Sequence, residues 1–578
     1  MSVKATLELF KGVLSKGEGN VVDIDNGVVY CNGSSWADRE ILNYLISQNQ
    51  LNRSFHKQWK TVIESDRETL LIEQLRHYLS TYGTDMLGEV YEPEGTSGIP
   101  VNIKFQIIKG FTKDQLELKL KKLVSSGIAM NSETINNIIT LAEDLKISFQ
   151  ELTKLSKNKE FTSIMVVKGY CKADTPETAL RAAIFASTGN TLLIKNEDTI
   201  NSIKCSDFNP EELFKSLGEK KMSEIFNRFK PIFLAYKKFC PKVINKIAKE
   251  SKKNHKPLPV SILNTVTSCK IKEGYDFTNT NLFTLLKAYN AVCIYKGGKK
   301  AQVYKIRNGK GWVNGKEVVK DENVLIHNES IIFNEIRKRL KLDNHKVFIP
   351  GGVTYTLPVS EKRMFGGIPY GSSVEGENLA VGVYWENSWG ATDLDLSGVS
   401  LGSKVGWNSS YNDNGLIYSG DMTNAPHGAV EYLHCKKGTY EPTLIMNNVY
   451  SGESDCKYRI IVGKGVDVTK DYMMSKDNLV FFCDTNSVSN NMYLGLITQD
   501  DNGVGKFTLT NVATGNARVS SDTDVSKAAR VALIEELDRL PTLNHLIEGF
   551  ITKDKREATI DLSPSEISKD TLINLFEV

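Results

Sequence analysis

Lysines recur at positions 242, 246, 249 and 253. Their spacing of i, i+4, i+7 and i+11 lays four ammonium groups along one stripe of a helix, while Val243, Ile244 and Ile247 fall on another face. Such a row attracts a phosphate backbone by Coulomb force and by release of condensed counterions. His255 closes the same basic stretch. A second cluster, with Lys300, Arg307 and Lys310, is interleaved with Tyr295, Tyr304 and Trp312. Aromatics exposed beside cations allow bases to stack, so residues 237–312 make RNA an expected partner in one reading of the chain. A solvated helix face followed by an ordinary hairpin accounts for the same residues without a ligand.

Groupings that carry out catalysis are absent from the sequence. There is no G-x-S-x-G, no G-x-G-x-x-G and no kinase-like set. Ser187-Thr-Gly-Asn-Thr-Leu-Leu-Ile-Lys195 departs from the phosphate-loop pattern, and its Gly189 follows a helix, where it serves as a C-cap. The nine cysteines form no C-x-x-C, and the eight histidines, His427 among them, show no zinc-ligand spacing. The sequence therefore predicts no enzyme and no structural zinc. An odd number of scattered cysteines fits a reducing compartment.

The elements that must position these residues can be read from periodicity. Residues 20–32 predict a hairpin with Asn26-Gly27 as its turn. Ser35 and Asp38 offer a capping box for a helix carrying Ile41, Leu42, Leu45 and Ile46, and a second helix runs from about Asp66 to Tyr82 and stops at Gly83. Caps at Thr112, Asn131 and Thr175-Pro176, and prolines at 210, 231 and 241, punctuate further helices through about residue 255. No fixed repeat period is present, so irregular stacked helices are expected. Residues 292–319 read as strands around Asn308-Gly309, followed by a helix near 329–341.

From Lys346 the texture changes to glycine, asparagine and serine with short alternating strands at 379–384, 443–449, 458–463, 479–482, 492–497 and 506–509. Short strands with polar turns predict an antiparallel β-sandwich. A helix over about 524–540 and a small strand-and-helix cap follow. The expected fold is thus multidomain α+β. The reading divides it into 1–100 (hairpin and helices), 101–255 (helical), 256–345 (basic), 346–518 (sandwich) and 519–578 (helix and cap).

The chain has 578 residues, 40% hydrophobic and 24% charged, a globular composition with a net charge of +3. Charge is unevenly spread. Residues 201–350 hold 30 Lys+Arg against 14 Asp+Glu, or +16, whereas 351–578 hold 19 against 30, or −11, and 1–100 hold 9 against 14, or −5. A basic middle between acidic ends bears on partners and on docking within the chain, not on fold. No run of 18 apolar residues and no secretory leader is seen, which predicts a cytoplasmic location without a membrane anchor.

Three segments in the C-terminal half resemble the TerD family in order and spacing over about 80 residues. Leu379-Ala-Val-Gly-Val-Tyr-Trp-Glu386 is similar to the strand ending in Gly-Trp-Asp, Thr392-Asp-Leu-Asp-Leu-Ser397 to Asp-Leu-Asp-Ala-Ser, and Ile417-Tyr-Ser-Gly-Asp421-Met-Thr to the His-Ser/Thr-Gly-Asp-Asn segment. The family is a calcium-binding β-sandwich associated with tellurite resistance and stress response. The resemblance implies Ca²⁺ as a cofactor, with Asp393, Asp395 and Asp421 as ligands on loops and Glu386 where the family has Asp after Trp. Ca²⁺ takes six to eight hard oxygen ligands, which carboxylates supply. The family's later Asp-Asp-Glu run is replaced here by Pro426-His-Gly-Ala-Val-Glu431, leaving Glu431 alone and putting one of two calcium sites in doubt.

Other stretches, among them 187–195, 225–235 and 254–258, resemble large bacterial and phage proteins found near MoxR-type ATPases and von Willebrand A-domain proteins. The helical part is similar at fold level to the TROVE module of Ro-type RNA-binding proteins. These resemblances imply a non-enzymatic binding or scaffold protein of a bacterial or phage stress or conflict system, with protein partners. RNA binding and a role in a phage virion or its assembly are the alternatives.

Overall fold

The computed structural model describes residues 3–14, 19–24, 28–31, 34–36, 47–83, 91–96, 106–257, 262, 265, 271–296, 303–307, 310–314, 322–437, 441–513, 531, 533–563 and 566–577. The chain forms two compact units, and the fold is α+β. Unit 1 comprises Thr112–Thr265 with Met1–Ala5; unit 2 comprises Thr6–Phe111 with Val266–Val578. Among the described residues, no helix is long and apolar enough to cross a membrane.

Unit 2 is built around two antiparallel sheets. Their strands are β1 (Val353–Thr354), β2 (Ser373–Gly376), β3 (Leu379–Trp385), β4 (Ala391–Val399), β5 (Lys404–Gly406), β6 (Asn412–Asp413), β7 (Leu416–Tyr418), β8 (Ala429–Cys435), β9 (Thr443–Gly452), β10 (Lys457–Gly463), β11 (Leu479–Asn486), β12 (Asn491–Gln499) and β13 (Gly505–Ala513). One sheet runs β5-β4-β9-β12-β13-β2-β1, with the hairpin Val303–Arg307/Lys310–Asn314 attached to β13. The other runs β6-β7-β8-β3-β10-β11. The expected sandwich strands are all present, and β4 and β8 join them.

The second sheet explains why alternation fails as a guide to β3 and β8. Both read as unbroken buried runs, LAVGVYW and AVEYLHC, the pattern of strands covered on both faces. The covering comes from far upstream. Residues 47–64 lie over Tyr432 and His434: the Trp59 ring sits 5.3 Å from that of His434 and donates its indole N–H to the Met473 carbonyl at 2.7 Å. Tyr432 reaches the Leu51 carbonyl at 2.8 Å, and Val430 N–H donates to the Arg53 carbonyl at 2.9 Å. The Tyr432 ring also rests on Gly382 of β3, where an added Cβ would come within 2.3 Å of it.

The change of texture at Lys346 therefore lies inside unit 2. Val347–Phe348 pairs in parallel with Ile551–Thr552 and Ile560–Asp561, tying the start of the sandwich to the C-terminal cap. The helices Leu282–Lys296 and Glu322–Arg339 belong to the same unit. Residues 292–296, expected as strand, are the last turn of the first of these. The apolar run LFTLLKAYNAVCIY carries buried residues all round, which a strand and a buried helix share.

Near the N-terminus, Gly19–Ile24 and Val28–Cys31 pair as the expected hairpin, while its Asn26-Gly27 turn lies outside the described residues. Ser35, expected as a helix cap, is in the strand Ser34–Trp36, and residues 37–46 lie outside the described residues. The helix α1 (Arg67–Tyr82) matches expectation: the Asp66 side chain accepts from Thr69 N–H, and the chain turns at Gly83.

Unit 1 is helical in its described residues, from the capping box at Thr112 to the helix ending at Asn254. Pro176 opens a helix that Gly189 ends in the left-handed conformation, φ 71°. Phe214, Phe226, Phe233 and Tyr236 form an aromatic centre. Around it pack α2 (Glu219–Phe226) and α3 (Pro241–Asn254), the latter burying Val243, Ile244 and Ile247 as its periodicity predicts.

Candidate metal centre

In β4 the sequence Thr-Asp-Leu-Asp-Leu alternates, placing Leu394 and Leu396 in the core and Asp393 and Asp395 on the other side. Register to β9 shifts on both sides of Asp393, a bulge that increases twist and re-aims its side chain. The expectation that these aspartates sit on loops is corrected here. The Asp/Leu alternation is itself a strand signal, and β9 satisfies the backbone. Asp421 comes from the loop after β7, where Gly420 (φ 95°) presses so closely on Phe55 that a Cβ would lie 2.6 Å from it.

Carboxylate oxygens of Asp393, Asp395 and Asp421 all lie within 4.8 Å of one another. The three residues are 2%, 4% and 3% exposed. Asp393 Oδ2 accepts from the Tyr82 hydroxyl at 2.6 Å, and Asp395 Oδ2 from Asn448 Nδ2 at 3.0 Å. Among the described residues, Asp393 Oδ1 and Asp421 Oδ1 have no hydrogen-bond partner. Burial, helped by the Asp395 charge and opposed by Tyr82, pushes the Asp393 carboxyl up to about 7. Burial pushes Asp395 up to about 6 against the pull of Asn448 and Lys404. Asp421 is raised well above the carboxylate range by burial and then by Asp393 and Asp395. Buried carboxylates this close cannot all ionise without a compensating cation.

Glu431 is fully buried and also raised, by burial and by Asp421. It is not one of the converging ligands. Its Oε2 accepts from Leu396 N–H at 2.8 Å and the Tyr418 hydroxyl at 2.7 Å, and its Oε1 accepts from Met422 N–H at 2.9 Å. Leu396 follows Asp395 and Met422 follows Asp421, so one carboxylate fastens both segments that carry the cluster. Glu386 stands outside it, accepting from the Tyr384 hydroxyl at 2.9 Å and Ser388 Oγ at 3.1 Å.

Helix α1 covers the cluster with its polar side. Leu70, Gln74 and His77 are buried along one stripe, whereas Leu71, Ile72 and Leu75 are exposed. Gln74 clamps the Asp421 backbone: its Oε1 accepts from Asp421 N–H at 3.0 Å and its Nε2 donates to the Asp421 carbonyl at 3.1 Å. The Tyr411 hydroxyl donates to the same Oε1 at 3.1 Å. Thr423 N–H donates to His77 Nε2 at 3.2 Å, and burial lowers His77 to about 4, keeping it neutral. Nothing in the sequence marked Tyr82, Gln74, His77 or Asn448. The one available signal was a glutamine and a histidine recurring with Leu70 at helical spacing.

The donor set fits a hard divalent cation. With Ca²⁺–O distances of about 2.4 Å, oxygens on opposite sides of the ion lie about 4.8 Å apart, the span within which the three carboxylates fall. Backbone carbonyls and water would complete such a shell.

The residues read as a basic surface fall in both units. Lys242, Lys246, Lys249, Lys253 and His255 are exposed on or just after α3 in unit 1, and Lys246 pairs with Glu219 at 3.2 Å. Arg307, Lys310 and Trp312 are on the two-stranded hairpin in unit 2, and Lys300 lies outside the described residues. Comparison of the chain with protein-family models, with curated proteins and with solved structures finds no match.

Proposed function

We propose that unit 2 is a divalent-cation-binding module, with Ca²⁺ as the ion, in a non-enzymatic cytoplasmic binding or scaffold protein of a TerD-linked stress or conflict system. The reading rests on one observation above all: two buried carboxylate oxygens, Asp393 Oδ1 and Asp421 Oδ1, have no hydrogen-bond partner among the described residues and converge with Asp395. Burial and mutual repulsion oppose ionisation of these carboxyl groups, and a cation among them removes that opposition. The resemblance of the 379–386, 392–397 and 417–423 segments to TerD motifs supports the same ion. When bound, Ca²⁺ supplies charge and a fixed geometry. Glu431 holds the two aspartate-bearing segments in register, and α1 fixes Asp393 through Tyr82 and the Asp421 backbone through Gln74.

The test is the melting temperature of the full-length chain in excess chelator and in Ca²⁺. At free Ca²⁺ about 100 times Kd, a native-state ligand adds about 2.7 kcal/mol. Asp393→Asn with Asp421→Asn should leave a folded protein whose melting no longer responds to Ca²⁺. Identical wild-type curves with and without Ca²⁺ would remove the assignment.

A further inference from the structure

Lysine is concentrated on one part of unit 1 beyond what its fold requires. Residues 215–256 hold 13 Lys+Arg against 3 Asp+Glu, or +10. All three acids are engaged: Glu219 with Lys246 at 3.2 Å, Glu224 with Lys256 at 2.9 Å, and Glu250 with Asn254 at 3.2 Å. Helices α2 and α3 lie side by side in the same direction, since Ser223 also meets Asn254 at 3.3 Å. Among the described residues, Lys220, Lys221, Lys242, Lys249, Lys252 and Lys253 are exposed and make no ion pair with a carboxylate.

Position makes the charge harder to attribute to stability. Lys252 and Lys253 are in the last turn of α3, where a cation favours the helix dipole. Lys242 stands in its first turn, where a cation is disfavoured, and that turn has neither an acid nor a side-chain cap. Lys237 and Lys238 immediately precede it. Like charges gathered on one face repel and destabilise the unit unless a partner neutralises them.

We infer that this face, centred on α3, binds the phosphate backbone of a nucleic-acid strand. The Lys242-to-Lys253 row spans 11 residues, about 16 Å along a helix, the length of roughly five stacked nucleotides at about 3.4 Å each. A protein partner fits less well. Protein interfaces are depleted in lysine and built around apolar or aromatic anchors, whereas the large apolar residue exposed in this segment is Leu234 alone among its described residues. The exposed charges are lysine ammonium groups, which meet phosphates as point charges, so recognition by this row is electrostatic and independent of sequence.

The experiment is fluorescence anisotropy of full-length protein with labelled oligouridylate and the matching oligodeoxythymidylate at several salt concentrations. Four phosphate contacts give a log–log salt slope of about −2.8, or about 50-fold weaker binding between about 50 and about 200 mM salt. Replacing Lys242, Lys249 and Lys253 by Gln, all exposed, should leave the melting temperature equal to wild type or higher and flatten the slope to about −0.7. Absence of binding to either strand at the lower salt overturns the inference, and so does a triple variant that binds as wild type. Displacement of the strand by poly-glutamate at equal charge concentration would point instead to an acidic protein and overturn it too. None of these readouts depends on Ca²⁺.

Discussion

The Tyr82 hydroxyl donates to Asp393 Oδ2 at 2.6 Å, joining the last residue of α1 to a strand 311 positions later. Removing the hydroxyl with Tyr82→Phe leaves a buried carboxylate oxygen unsatisfied, a loss of about 1–3 kcal/mol. Urea unfolding in chelator should show the midpoint falling with an unchanged slope. Ca²⁺ affinity at neutral pH should weaken as well, because the lost donor had favoured the ionised form. Unaltered stability and affinity would mean that Tyr82 does not close the site.

Protonation gives the cation site a defined pH dependence. Asp393 rises from 3.8 to about 7 and Asp395 to about 6, so both are held protonated in the folded chain at pH 5. Without cation, their contribution to stability is fully present below about pH 4 and is lost as pH rises through 7. Ca²⁺ needs the ionised carboxylates and must displace those protons. The melting shift produced by Ca²⁺ should therefore grow from pH 5 to pH 8. His77, lowered to about 4, acts oppositely, its contribution being lost as pH falls from about 6.5 toward 4. Comparing melts with and without Ca²⁺ at each pH cancels it. A shift independent of pH would exclude Asp393 and Asp395 as ligands.

The polarity of α1 predicts an inverted mutational pattern. Gln74→Leu, an apolar substitution on a buried face, strands the Asp421 N–H and carbonyl and should cost about 2 kcal/mol or more. Leu75→Asn, a polar substitution on the exposed face, should change stability by no more than about 0.5 kcal/mol. Chemical denaturation of the two variants separates this arrangement from the usual one, in which the order would be reversed.

Residues 346–578 alone should fail to form a stable sandwich. Without 47–96 the outer side of β8 loses Trp59, Leu51 and the Arg53 carbonyl, and the Asp421 loop loses Gln74 and His77. Soluble expression and a cooperative melt should return when the upstream segment is supplied as a second chain. A sharp melt from the isolated fragment would show that the cover is dispensable.

Much of this arrangement was legible in the sequence, and the remainder fails for specific reasons. Caps at Asp66, Thr112 and Thr175 and the glycines at 83 and 189 act within one turn, so the helices they bound could be placed from local spacing. Asp393, Asp395 and Asp421 stood out only because their segments resemble TerD motifs; among 69 acidic residues their type alone marks nothing. The part Glu431 takes did not, since holding Leu396 and Met422 N–H depends on two segments meeting in space. The span and ends of helix α1 could be read from its sequence, but not which face is covered. Gln74 and His77 are buried on it beside Leu70 because what lies beneath includes backbone of the Asp421 loop that needs hydrogen-bond partners. Strand β8 shows no alternation because residues almost 400 positions away from it in sequence cover its second face.

Unit 2 is interrupted in sequence by Thr112–Thr265 of unit 1, which sets an order of events during synthesis. Trp59 leaves the ribosome 414 residues before its hydrogen-bond partner Met473. At about 5–20 residues per second this leaves its apolar surroundings uncovered for roughly 20–80 s. Unit 1, contiguous apart from five residues, can fold within that interval. The nascent chain thus carries a finished helical body behind an unfinished hydrophobic leader, a state in which a holdase chaperone has time to engage residues 47–64. Slowing elongation between Trp59 and Met473 should therefore lengthen this exposure without changing the stability of the completed sandwich.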